Sequence, residues 1–138
     1  QRIKRLMTKV DILKLSDEDL LWLFNENTDE SSALSELRAI ANADLLILTR
    51  GSKGSSIWHN DKWHEVPAYP VDKLSDTVGA GDTFMASVLV WLIKNENMKR
   101  LGVLELKDKQ DLQYYAGKAA SLNCKKQGCN PPWENELL

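Results

Sequence analysis

The hexapeptide DLLILT, Asp44 to Thr49, constrains the fold more than any other stretch of this chain. Leu45, Leu46, Ile47 and Leu48 leave no polar side for water, so the segment reads as a strand covered on both faces, as in a parallel sheet. Covering both faces takes helices, and the flanking sequence supplies them. QRIKRLMTK places Ile3, Leu6 and Met7 at helical spacing and leads into VDILKL, a short apolar strand. SDEDLLWLF then begins a helix, with Ser16 as N-cap and Asp19 three residues on, the pattern of a capping box. SSALSELRAIANA sets Ala33, Leu34, Leu37, Ile40 and Ala41 on one helical face. Beyond DLLILT, SSIWH and KWHEV flank Asn60-Asp61 and predict a β-hairpin on or across which Trp58 and Trp63 pack. A long helix is expected from about Asp82 to Asn95. Another should run from about Asp108 to Lys126, where GCNPP stops it.

Strand, two helices, strand, hairpin and two helices make an α/β pattern with helices packed over a sheet. A chain of 138 residues is one domain's worth, and no internal repeat, low-complexity tract or linker divides it. The net charge is −2 with acids and bases interspersed, which lacks the basic footprint of a nucleic-acid binder. Phe84 to Ile93, the longest uncharged apolar stretch, is too short to span a bilayer. No secretory leader is visible, so a cytoplasmic protein with Cys124 and Cys129 as reduced structural thiols is expected. A zinc site would need ligands beyond these two, and His59 and His64 lie far off in the hairpin. There the histidines alternate with Trp58 and Trp63 and read as polar positions on an exposed strand face. Lys53 reads as an exposed turn lysine, and KNENMKR and ELKDKQD as solvated surface.

Chemistry concentrates in DTVGAGDTF, Asp76 to Phe84. Gly79, Ala80 and Gly81 are able to turn three successive N–H groups toward one point at a helix start. Such a nest, aided by the helix dipole, stabilises a phosphate or a developing oxyanion. Asp82 adds a carboxylate that could take a proton from an attacking hydroxyl. Phosphoryl transfer needs this pairing of a charge cradle with a group that orients and deprotonates the nucleophile. Taken alone, the same residues also suit a tight turn capped by Asp82. A Walker loop is excluded, because no Gly-Lys-Ser/Thr follows. TRGSKG, Thr49 to Gly54, stands directly after the buried strand, at the sheet edge where α/β proteins bind nucleotides. By itself it equally serves as a strand-to-hairpin turn.

DTVGAGDTF resembles the C-terminal signature of the ribokinase-like (PfkB) carbohydrate kinases, and TRGSKG resembles their nucleotide-binding turn at the expected separation. KLSDEDL and AASLNCKKQGCNPP resemble the fructokinase branch, so the likeness covers nearly the whole chain. It implies a three-layer α/β/α fold with a mostly parallel sheet and a β-hairpin. Residues 1–138 would be the C-terminal, nucleotide-binding portion of a sugar kinase whose N-terminal half is absent. The implied activity is ATP-dependent phosphorylation of a sugar hydroxyl. Asp82 would be the general base, and the N–H groups of Gly79, Ala80 and Gly81 the anion hole. Thr49, Gly51, Gly54 and Gly117 would line the nucleotide site. Asp76 and Val78, with Asn123, Lys126 and Gly128, would border a monovalent-cation site, K⁺ by implication. Mg²⁺ would ride on the ATP phosphates.

Two departures from the family pattern stand out. Where relatives often carry Asn-x-x-Glu, Ser16 and Asp19 occupy those positions, so Asp19 would reach Mg²⁺ only through water. Gly117 stands where many relatives place a larger residue against the adenine. The implied partners are ATP and a sugar, with no nucleic acid or membrane, and a homodimer for the full-length protein. Other acceptors (ribose, a nucleoside, a sugar acid or a sugar phosphate) stay open, as does a half-protein that only binds nucleotide. Without the sugar-binding half, this stretch alone is expected to bind ATP weakly and to phosphorylate no sugar.

Overall fold

A computed structural model describes residues 2–24 and 27–137. Gln1, which opens the first helical segment of the sequence, lies outside them. The chain forms α1 (Arg2–Met7), β1 (Ile12–Ser16), α2 (Asp17–Phe24), α3 (Glu30–Ile40) and β2 (Leu45–Thr49). A single 3₁₀ turn (Gly51–Lys53) then leads to β3 (Ser55–His59), β4 (Lys62–Val66), α4 (Ala80–Lys94) and α5 (Leu106–Cys124).

The four strands lie side by side in sequence order. β1 and β2 are parallel, Ile12 facing Leu45 and Ser16 facing Thr49. The hairpin adds two antiparallel pairings, β2 with β3 and β3 with β4. The sheet among the described residues is therefore mixed, with the expected parallel pairing at β1–β2 and the expected hairpin at β3–β4. A two-residue connection permits nothing but an antiparallel return. Asn60 and Asp61 both take positive φ, 47° and 60°, as a type I′ hairpin turn requires.

Strand alternation divides the apolar residues between two cores. Leu15, Leu46 and Leu48 pack with Leu20 and Phe24 of α2 and with Ala33, Leu34 and Leu37 of α3. Leu45, Ile47 and Ile57 point the other way, against Phe84, Val88 and Leu92 of α4 and Leu112 and Ala116 of α5. The result is three layers, helices over both faces of the sheet. Burial of four successive β2 side chains between the layers explains the polar-free DLLILT. Trp58 and Trp63 sit opposite each other in register and meet edge-on at 5.3 Å between centroids. They pack on the α2–α3 side.

Three sequence expectations are corrected. Lys109, in the supposedly solvated ELKDKQD, is only 5% exposed, and its ammonium donates to the Trp58 carbonyl at 3.3 Å. Burial lowers its pKa from the ordinary lysine value. Asn97 in KNENMKR is likewise buried. His59 and His64 are half-buried rather than exposed, with ring centroids 6.0 Å apart, because α5 packs against that side of the hairpin.

Candidate active site

The site forms where the parallel strands end. Ser16 closes β1 and Thr49 closes β2, opposite each other in register. Ser16 immediately caps α2: its hydroxyl accepts from Asp19 N–H at 3.0 Å, and Asp19 Oδ2 accepts from Ser16 N–H at 3.2 Å. The capping box read from the sequence is thus present, and Asp19 is engaged in it. Thr49 Oγ1 reaches the Leu15 carbonyl at 3.4 Å.

The turn after β2 is shaped by its glycines. Gly51 and Gly54 have φ of 51° and 95°. A side chain on Gly54 would overlap the backbone of residues 66–68, its Cβ falling 2.7 Å from Ala68 N. Arg50 N–H bonds the Gly54 carbonyl at 2.8 Å and closes the turn. From below, the Arg50 guanidinium grips Glu30 at the start of α3 (2.8 Å from Nη2) and also bonds Ser56 Oγ. This brace was not read from the sequence, since a lone arginine in a turn and a glutamate opening a helix each look like surface. Lys53 is exposed, as expected. On α5, Gln113 Nε2 donates to Ser55 Oγ at 2.9 Å. Gly117 lies one helical turn further along that face, with open space where its Cβ would be. Thr49, the glycine turn and Gly117 therefore share one end of the molecule.

The second half of the site is the start of α4. Gly79 is its N-cap, in the left-handed region at φ 76°, and its carbonyl accepts from Thr83 N–H at 2.8 Å. A helix leaves its first N–H groups unpaired. Among the described residues those of Gly79, Gly81 and Asp82 have no partner, whereas Ala80 N–H turns to the Thr77 carbonyl at 3.2 Å. The nest thus offers Gly79, Gly81 and Asp82 rather than three equal donors at 79–81. The Asp82 side chain is exposed in the first helical turn and makes no hydrogen bond or ion pair among the described residues.

What holds this turn is the segment after α5. Asp76 Oδ1 accepts from Val78 N–H at 3.0 Å, and Oδ2 from Gly128 N–H at 2.9 Å. These two N–H groups, Val78 first, pull the Asp76 carboxyl below its ordinary pKa. Asn123, fully buried, donates to the Val78 carbonyl at 2.8 Å and accepts from Asn130 N–H at 2.8 Å. Lys126 N–H bonds the Asn123 carbonyl at 3.0 Å, and its ammonium pairs with Glu136. Cys129, exposed and free, lays its side chain against the Cα of Gly79, and Cys124 is a buried free thiol. The five residues expected around a cation are thus brought into one network.

One cation was missed. Lys14 points from β1 toward α4, and a Cβ on Gly81 would lie 3.2 Å from its Nζ. A single charge between Leu13 and Leu15 in an apolar strand was the available signal.

Solved structures share this architecture. Fructokinase from Vibrio cholerae O395, in its fructose-, ADP- and calcium-bound form, superposes with a TM-score of 0.77 at 23% identity, over 92% of this chain and 39% of that one. Aminoimidazole riboside kinase from Salmonella enterica, complexed with aminoimidazole riboside and an ATP analog, gives 0.81 at 23% identity, over 98% and 43%. The fold is ribokinase-like. The pfkB family carbohydrate kinase model matches residues 1–136, and the chain belongs to that family. A fructokinase from Rhizobium leguminosarum bv. trifolii is 38% identical over 112 residues, which is 81% of this chain and 33% of that protein. The chain thus spans about a third of the length of that curated relative. No helix among the described residues is long and apolar enough to cross a membrane.

Proposed function

We propose that the protein transfers the γ-phosphoryl group of ATP to a sugar hydroxyl, as a kinase of fructokinase type. The observation that carries this reading is the unpaired Asp82 carboxylate in the first turn of α4, beside the free N–H groups of Gly79 and Gly81. The acceptor oxygen forms a bond to the γ-phosphorus as the bond to the β,γ-bridging oxygen breaks. Its proton passes to Asp82, and ADP leaves. Gly79, Ala80 and Gly81 form the anion hole, joined by the free N–H of Asp82, and Ala80 is the weakest donor because its N–H already has a partner. Preorganised N–H groups aimed at developing charge are among the strongest catalytic devices available to a protein. Thr49, Gly51, Gly54 and Gly117 line the nucleotide site, and the similarity to a fructokinase over most of this chain supports fructose as acceptor.

Magnesium would be carried on the nucleotide phosphates, where it would neutralise charge. Among the described residues no three His, Cys, Asp or Glu side chains gather to hold a metal by themselves. Asp19, with one oxygen in its capping box, would touch it through water. A monovalent cation such as K⁺ fits beside Asp76 and Val78. A carboxylate has about four lone-pair positions and a carbonyl two, so Asp76 and Val78 keep acceptor capacity beyond their present hydrogen bonds. Asn123, Lys126 and Gly128 would complete that border.

The test is Asp82→Asn in the full-length protein, assayed by coupled ADP release with fructose, ribose and adenosine. Turnover should fall by ~10²–10⁴-fold, the usual share of base catalysis, while calorimetric ATP binding persists. A kcat within about threefold of wild type would remove Asp82 from the chemistry.

A further inference from the structure

We infer that Lys14 is a catalytic cation that contacts the transferring phosphoryl group. The inference rests on the kinase reading above and adds a residue to it.

Lys14 occupies the α4-facing side of β1. Ile12, two residues earlier, packs into the α4–α5 core, and strand alternation sends Lys14 the same way. The side chain is half-buried and reaches the nest at the start of α4, close enough that a methyl group on Gly81 would stand 3.2 Å from its Nζ. Among the described residues its ammonium has no hydrogen bond and no counter-ion. Other basic groups near this end differ. Arg50 is bound to Glu30, Lys126 to Glu136, and Lys53 is exposed on the glycine turn.

General electrostatics favours an anion beside this lysine. The N-terminus of a helix carries partial positive charge, so a lysine set against it meets like charge. A half-buried cation also gives up hydration that an ion pair would normally replace. An anion that accepts both from Lys14 and from the N–H groups of Gly79, Gly81 and Asp82 relieves both effects. Asp82 does not serve as that anion, because no ion pair joins it to Lys14. A phosphoryl group does, since it carries several oxygens and can accept from the nest and from an ammonium together. Lys14 Nζ thus stands beside Gly81, within reach of an oxygen of a phosphoryl group held by the nest. During transfer it stabilises the charge spread over the equatorial oxygens, without itself exchanging a proton.

The experiment compares Lys14→Met and Lys14→Arg with the wild type in the full-length protein. The readouts are sugar-dependent ADP release, calorimetric binding of ADP, and thermal unfolding. Lys14→Met should lower kcat by ~10²–10³-fold, the loss seen when one oxyanion donor is removed, while ADP affinity stays within about threefold because ADP lacks the γ-phosphate. Lys14→Arg, which keeps the charge, should retain at least about tenfold more activity than Lys14→Met. A folded Lys14→Met protein with near wild-type kcat overturns the inference. So does a parallel loss of ADP binding, activity and thermal stability in both variants, which would make Lys14 a packing residue. A wild-type protein that releases no ADP with any sugar would instead defeat the kinase reading itself.

Discussion

Replacing Gly79 by alanine tests whether the glycine turn at the start of α4 is held by shape. Two separate penalties arise at this position. The residue sits at φ 76°, and a Cβ in the left-handed region costs roughly 1–2 kcal/mol. The new methyl group would also overlap the Cys129 thiol and fall 2.8 Å from Cys129 Cβ and 3.2 Å from its Cα. Overpacking of that kind typically costs about 1–3 kcal/mol. The sum is a destabilisation of about 2–5 kcal/mol, well above the ordinary effect of a surface change. Urea unfolding of the full-length protein measures it, and Cys129→Gly separates the two parts. In a double-mutant cycle, Cys129→Gly should recover about 1–3 kcal/mol of the Gly79→Ala loss, because Sγ and Cβ are gone. The φ penalty of roughly 1–2 kcal/mol should remain. A Gly79→Ala cost below about 0.5 kcal/mol would refute the geometry outright. A coupling near zero would show that Cys129 yields freely and that only the backbone resists.

Two further outcomes concern pH. Asp76 has a lowered folded pKa from the N–H groups of Val78 and Gly128, so its contribution is present above the ordinary aspartate value, about 3.9, and is lost as pH falls through the folded value. Asp76→Asn should therefore flatten the acid limb of stability measured by unfolding below about pH 4, and an unchanged limb would contradict the assigned hydrogen bonds. Lys109 has a folded pKa lowered by burial, so the unfolded chain binds more protons between that value and about 10.4, and stability rises with pH across this window. Lys109→Met should abolish that alkaline rise and leave neutral-pH stability within about 1 kcal/mol of wild type or higher, since no charge need then be buried.

Elements whose apolar spacing matched their geometry were legible in the sequence. β2 announced its double burial through four consecutive apolar residues, and Ser16–Asp19 announced a helix start through local hydrogen bonding. Lys109 was misread because its neighbours are charged. Yet it stands three, four and seven positions before Leu112, Gln113 and Ala116, all on the buried side of α5. Helical periodicity carried information that composition concealed. The glycine nest was visible, but not which of its donors would be free, because the Ala80 N–H partner depends on how Thr77 folds back. Contacts between distant segments were least legible. Nothing local to Gly79 reveals Cys129, and nothing local to Arg50 reveals Glu30.

The dependence of the α4 turn on the residues after α5 also bears on the order of events during synthesis. Asn123 reaches back 45 positions to Val78, and Gly128 reaches back 52 to Asp76. When α4 first leaves the ribosome, its leading turn has neither contact, and Gly79 is free to sample both signs of φ. Folding proceeds broadly from the N-terminus during synthesis. The β1–β2 pair and its α2–α3 cover can therefore consolidate early, while the first turn of α4 waits until Asn130 has emerged. The first turn of α4 is then set only after the segment that follows α5 has emerged. A stalled product lacking residues 123–130 would carry Asp82 in a helix whose first turn has not been set.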